Sequence, residues 1–202
     1  MRNSLNIAIT AALEAGKSIL EIYHSGEFDI ELKGDNSPLT RADTASHNVI
    51  MSYLDSTGIP VLSEEGRDIS YQERKEWKQL WIVDPIDGTK EFIKRNGEFT
   101  VNIALIEDQK TVIGIIFVPV KGELYFSSKK LGAFKVKVDL NNFNIEELIL
   151  NASKLPLKRK ESIFTIVASR SHMSPETESY VQQMRNIHGE VDLISKGSSL
   201  KL

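Results

Sequence analysis

Leu5, Ala8, Ile9, Ala12, Leu13, Gly16, Ile19, Leu20 and Tyr23 recur at steps of three and four. That spacing predicts an amphipathic helix over about residues 3–24, closed by His24-Ser25-Gly26. The period then changes. Phe28 to Lys33 alternates as a short strand would, and residues 34–38 have the composition of a loop. Thr40 caps a second helical pattern through Val49, Ile50, Tyr53 and Leu54, with Asp43 three residues on as in a capping box. Ile59 to Leu62 reads as a strand that ends on Ser63-Glu64-Glu65-Gly66. Residues 69–79 read as a short helix leading to the apolar strand Trp81-Ile82-Val83, which runs straight into Asp84-Pro85-Ile86-Asp87-Gly88-Thr89.

Glu98 to Ile106 alternates again, with Phe99, Val101, Ile103 and Leu105 on one side. Thr111 to Val118, Glu123 to Ser127 and Ala133 to Val138 follow, with Gly122 and Gly132 as turns, so an antiparallel meander is expected. Residues 141–151 and 154–161 are polar and read as a connector. Beyond it come a strand (Ile163 to Ala168), a helix opened by Ser174-Pro175, a strand (Val191 to Ile194) and Lys196-Gly197-Ser198-Ser199, the start of a further helix. This strand–helix–strand wiring is α/β, unlike the first half. The expected division is an N-terminal α+β subdomain with the antiparallel sheet, 1–152, and the beginning of a C-terminal α/β subdomain, 153–202. Because Leu202 falls in the first turn of a helix, the expectation is a C-terminally truncated second subdomain.

Two apolar strands that each end in carboxylates before a glycine change the picture from architecture to chemistry. Glu64, Asp84 and Asp87, with the Ile86 carbonyl between the aspartates, form an oxygen-only donor set. Oxygen donors without cysteine suit Mg²⁺ rather than Zn²⁺. Two close ions sharing Asp84 or Glu64 would clamp both oxygens of a phosphoryl displacement. Glu64, Asp43 and the Thr89 hydroxyl are the candidates for handling the nucleophilic water, and the Gly88 and Thr89 N–H groups for holding phosphate oxygens. The plainer alternatives are that Asp84 and Asp87 cap a turn, that Glu64 is solvated, and that Asp43 only complements a helix dipole. His24, His47 and His188 read as surface or helix-end residues. Lys94 and Arg95 read as a solvated turn.

Composition narrows the partners. The 202 residues are 41% hydrophobic and 26% charged, an ordinary globular balance with enough chain for a real core. A net charge of −3 argues against nucleic-acid binding through bulk charge. The absence of cysteine removes disulfides and thiol nucleophiles and agrees with a cytoplasmic setting. Glu14, Lys17 and Glu21 interrupt the N-terminal helix, so it is not a signal peptide, and no apolar run reaches the length of a membrane span.

The string Asp84-Pro85-Ile86-Asp87-Gly88-Thr89, with Phe92 three further on and Ser63-Glu64-Glu65 upstream, resembles the signature of the inositol monophosphatase superfamily of Mg²⁺-dependent, lithium-sensitive phosphatases. Within it the chain is most similar to bacterial 3′(2′),5′-bisphosphate nucleotidases of the CysQ type. Residues 37–43, Lys90-Glu91-Phe92-Ile93, Ala168-Ser169-Arg170-Ser171-His172 and Gly197-Ser198-Ser199-Leu200-Lys201 carry that resemblance. It implies a layered αβαβα sandwich. It implies Glu64, Asp84, Ile86 and Asp87 as ligands of two or more Mg²⁺ ions, and Asp43 and Thr89, with Glu64, as the groups that activate water. Asp87, Gly88, Thr89, Ser169, Arg170, His172, Gly197 and Ser198 would line the substrate.

The implied reaction converts adenosine 3′,5′-bisphosphate to AMP and phosphate, clearing a by-product of sulfate assimilation. A homodimer and peripheral association with the inner membrane are also compatible with the resemblance. Family members continue to a later Trp-Asp motif that supplies another ligand, so impaired turnover is expected of the 202-residue form. The alternatives are an inositol monophosphatase or fructose-1,6-bisphosphatase-like sugar phosphatase, and a non-catalytic nucleotide- or metal-binding protein.

Overall fold

The computed structural model describes residues 2–34, 37–157, 163–169 and 174–201. Helix α1 (Arg2–Ser25) and helix α2 (Arg41–Leu54) lie side by side on one face of a seven-stranded sheet. Their apolar stripes, from Leu5, Ile9, Leu13 and Ile19 to Ile50 and Leu54, are buried against Trp81, Val83, Val101, Ile103, Ile113, Ile115 and Phe117. Removing a full side chain of this kind from water contributes about 1.5–3 kcal/mol, so this one interface carries most of the core. Gly16 is where the helix meets the sheet most closely: a Cβ there would stand 2.3 Å from the Phe117 ring.

The sheet runs β3 (Val61–Ser63), β4 (Gln79–Asp87), β5 (Thr100–Glu107), β6 (Lys110–Val118), β7 (Glu123–Ser128), β8 (Gly132–Lys137) and β9 (Ser153–Lys154), in that spatial order. Strands β4 to β9 are antiparallel neighbours, as the alternating pattern predicts, whereas β3 pairs parallel to β4. The parallel pair sends the ends of both strands in the same direction, which is why Ser63-Glu64 and Asp84 emerge together. A single helical turn, α3 (Tyr71–Arg74), is all that forms of the helix expected over residues 69–79, and a two-stranded ribbon, β1 (Glu31–Leu32) and β2 (Pro38–Leu39), precedes α2. It is shorter than the alternation of Phe28 to Lys33 suggests.

Two polar stretches differ from expectation. Residues 141–151 are not a plain connector: α5 (Ile145–Asn151) is capped by the Asn144 side chain, which accepts from the Glu146 and Glu147 N–H groups. Phe143, Ile145, Leu148 and Ile149 pack against the core, and the acidic residues between them hide that period. The chain after α5 returns to the sheet, because Ser153 and Lys154 pair with β8. Strand β10 (Phe164–Ser169), helix α6 (Pro175–His188) and strand β11 (Val191–Lys196) then form a parallel βαβ unit. Ser174 caps α6 and Pro175 opens it, as read from the sequence. A 3₁₀ turn, Ser198–Lys201, follows. Among the described residues no helix is long and apolar enough to cross a membrane.

Candidate active site at the ends of β3 and β4

Strand β4 does not stop at Val83. It continues through Pro85 to Asp87, with its register against β5 broken between Asp84 and Asp87. Such a bulge re-aims side chains at a strand end. The Ser46 hydroxyl of α2 donates to the Pro85 carbonyl at 2.8 Å and fixes the bulge from the helix side. Gly88 then takes φ +98°, and α4 (Thr89–Ile93) begins. A Cβ on Gly88 would stand 3.1 Å from the Glu98 carbonyl oxygen and 3.1 Å from Ser198 Cβ, so this corner has room only for glycine. Behind it, Phe92 packs on Tyr23, Phe28 and Phe99 with ring centroids 4.9–5.3 Å apart, which anchors α4 to the core.

Asp43 closes the capping box read from the sequence and also touches Thr89. One oxygen closes the start of α2, accepting from the Thr40 N–H at 2.8 Å and the Thr40 hydroxyl at 2.6 Å. The other accepts from the Thr89 hydroxyl at 3.0 Å, across 46 residues of chain. The Thr89 hydroxyl also lies 3.3 Å from the Ile86 carbonyl oxygen. Asp43 is 1% exposed, and that desolvation raises its pKa against the lowering effect of Thr40, Thr89 and Lys33.

Asp84 is the electrostatic centre. Desolvation first, then the charges of Glu64 and Asp87, a hydrogen bond with Glu64 and the charge of Asp43, push its carboxyl up to about 8. Its Oδ1 is buried and has no hydrogen-bond partner in the structure. A buried carboxyl oxygen without a hydrogen-bond partner costs about 1–3 kcal/mol, a cost that a bound cation would offset. The neighbouring acids are partly neutralised by the protein. Lys33 donates to Glu64 at 2.9 Å and also to Glu65. Burial opposes the charge on Lys33, but its bonds to Glu65 and Glu64 outweigh burial and raise its pKa. Asp87 accepts from the Ser199 hydroxyl at 2.6 Å. Accordingly, among the described residues no three Asp, Glu or His side chains stand ready-made as a metal cage.

The oxygen donors and the orphaned Asp84 oxygen nevertheless fit a hard divalent cation. Of the other substrate candidates, Gly197 and Ser198 follow β11 and abut Glu91 and Gly88, and Ser169 closes β10. Arg170 and His172 lie outside the described residues. His47 is not a bare surface residue: its Nδ1 is 2.9 Å from the Ser63 hydroxyl, at the end of β3. His188 stacks on Phe164 at the end of α6. Lys33, Glu98 and Asn102 went unremarked in the sequence. Asn102 had a signal, a polar residue on the open side of an alternating strand. Lys33 and Glu98 had none, because their partners lie 31 and 99 residues away.

The family model described as "Inositol monophosphatase family" matches residues 1–202. The chain belongs to the inositol monophosphatase family. Among curated members, the "3'(2'),5'-bisphosphate nucleotidase CysQ" of Escherichia coli O157:H7 is 42% identical over 193 residues, covering 94% of this chain and 71% of the relative. Its counterpart in Buchnera aphidicola is 34% identical over 203 residues, 99% of this chain and 70% of the relative. Among solved structures, CysQ from Bacteroides thetaiotaomicron, described as a bacterial member of the inositol monophosphatase family, superposes with a TM-score of 0.83 at 49% identity. That match covers 96% of this chain and 73% of the other. The αβαβα fold expected from the resemblance is therefore the fold of this chain.

Proposed function

We propose that this chain is a metal-dependent phosphatase that removes the 3′-phosphate of adenosine 3′,5′-bisphosphate, giving AMP and phosphate. The observation that carries the metal-dependent chemistry is Asp84: a buried carboxyl oxygen without a hydrogen-bond partner, in a group whose ionisation is opposed by burial and by Glu64, Asp87 and Asp43. The substrate assignment rests on the names of the relatives, which are nucleotidases over 94–99% of this chain. Glu64, Asp84, Asp87 and the Ile86 carbonyl would hold the ion, and their oxygen-only character favours Mg²⁺. When bound, the ion supplies charge neutralisation on the phosphoryl oxygens and a more acidic water.

The protein's own groups do the rest. Thr89 donates its proton to Asp43, so its hydroxyl oxygen is oriented to accept from a water. Asp43, held rigidly by Thr40, is the group that receives a proton through Thr89. The backbone N–H groups of Gly88 and Thr89, at the turn into α4, would hold the phosphate oxygens and stabilise the charge that develops on them. Ser198 and Ser199 wall the substrate side.

Phosphate release from adenosine 3′,5′-bisphosphate, measured with Mg²⁺ and after chelation, tests the reading. Mg²⁺-dependent release that exceeds release from inositol 1-phosphate supports it. Faster release from inositol 1-phosphate would transfer the assignment to the sugar-phosphate activity. Calorimetric nucleotide binding with no release from either would make the chain a binding protein.

A further inference from the structure

Asp87 is held in place from the far end of the chain. The Ser199 hydroxyl donates to Asp87 Oδ2 at 2.6 Å, and Asn102 Nδ2 donates to Ser199 Oγ at 2.9 Å while lying 3.4 Å from Asp87 Oδ2. Ser199 sits in the turn Ser198–Lys201, and the residue that leads into that turn, Gly197, is tied to Glu98. The carboxylate of Glu98, 9% accessible, accepts from the Gly197 N–H at 2.9 Å and faces Lys196 Nζ at 3.3 Å. Gly197 is pressed against the same wall: a Cβ there would lie 2.7 Å from Glu91 Cγ. A buried charged acceptor on a backbone N–H is among the stronger hydrogen bonds a fold can make.

We propose that Glu98 is a positioning residue for Asp87, acting through the Gly197 N–H and the Ser199 hydroxyl, so that the turn after β11 orients one carboxylate of the site on β4. This rests on the reading of Asp87 as an ion ligand. Outer groups that hold a ligand carboxylate in one orientation set its affinity for the ion, and their loss typically weakens binding about 10–100-fold.

The test is a double-mutant cycle on Mn²⁺ affinity, read by electron paramagnetic resonance without substrate, using Glu98→Ala, Ser199→Ala and the pair. Each single change should weaken Mn²⁺ binding by about 10-fold or more, and the pair should lose no more than the worse single. Amide exchange in the metal-free protein separates cause from effect: Gly197 should lose protection in Glu98→Ala and keep it in Ser199→Ala. Glu98→Gln keeps the shape and one acceptor. Should Glu98→Ala not fold, Glu98→Gln takes its place in the cycle with an intermediate effect. Additive losses, or Mn²⁺ affinity unchanged in either Glu98→Ala or Ser199→Ala, overturn the proposal. A wild-type protein that binds Mn²⁺ and passes this cycle, yet releases no phosphate, overturns the phosphatase reading and leaves the positioning role standing.

Discussion

Asp84 shows how one residue couples folding, pH and metal. Folding lifts its carboxyl from the ordinary 3.8 to about 8, chiefly by burial. Below the unfolded value both states hold the proton, and the stability this group contributes is fully present. Between the two values the unfolded chain loses the proton while the folded chain keeps it, so metal-free stability falls as pH rises toward about 8. The expected outcome is a melting temperature without metal that declines from pH 5 to pH 8, and a Mg²⁺-induced rise that grows over the same range. Binding at pH 7 should also release protons, seen as a calorimetric heat that changes with the buffer's ionisation enthalpy. Asp84→Asn should flatten the metal-free decline and abolish the Mg²⁺ effect; an unchanged slope would show that Asp84 is not the group responsible. The sequence singles out Asp84 as one of two strand-end aspartates three apart, a spacing that a capped turn explains as readily as an ion site, and the burial that shifts its carboxyl is visible only in the fold. It could not reveal that Asp43 both caps α2 and contacts Thr89, because the cap and the contact use different oxygens of one side chain.

At the scale of elements, what was legible was whatever has a short period. The alternation in β5 to β8 and the three-four spacing of α1 depend only on neighbours in the chain, and both appear where expected. Helix α5 is hard to read from the sequence because it has only seven residues, too short for the spacing of Ile145, Leu148 and Ile149 to repeat, and polar residues precede and interrupt it. The bulge in β4 was also invisible, since it depends on pairing with β5 and on Ser46 reaching Pro85 from another element. Gly88 connects that bulge to α4. Gly88→Ala would place a Cβ at φ +98° and 3.1 Å from a backbone oxygen of Glu98, which cannot retreat cheaply. The expected cost is about 1–3 kcal/mol of stability by chemical denaturation. Activity should fall further than that loss explains at temperatures where the variant is folded. A variant as stable and active as wild type would mean that the corner relaxes.

The whole molecule has to tolerate a concentration of negative charge that no single element contains. Acids arrive from α2, from the end of β3 and from both sides of the β4 bulge, and the fold brings them together before any ion is considered. Among the described residues, Lys33 is a cation that meets this cluster, and it reaches Glu64 and Glu65 from the β1–β2 ribbon on a segment distant in sequence. It therefore stabilises the metal-free fold and competes with an incoming ion for Glu64. These two roles give opposite signs to one substitution. Lys33→Met keeps the length of the side chain and removes the charge. Without metal it should melt at a lower temperature than wild type at pH 7, because Glu64 and Glu65 lose the ammonium that pairs with both of them. Mg²⁺ should then bind several-fold more tightly, since no ammonium has to be displaced, and saturating Mg²⁺ should recover most of the lost stability by mass action. Weaker Mg²⁺ binding in Lys33→Met would reverse the argument: the ammonium would be helping to shape the site around the ion instead of standing in for it.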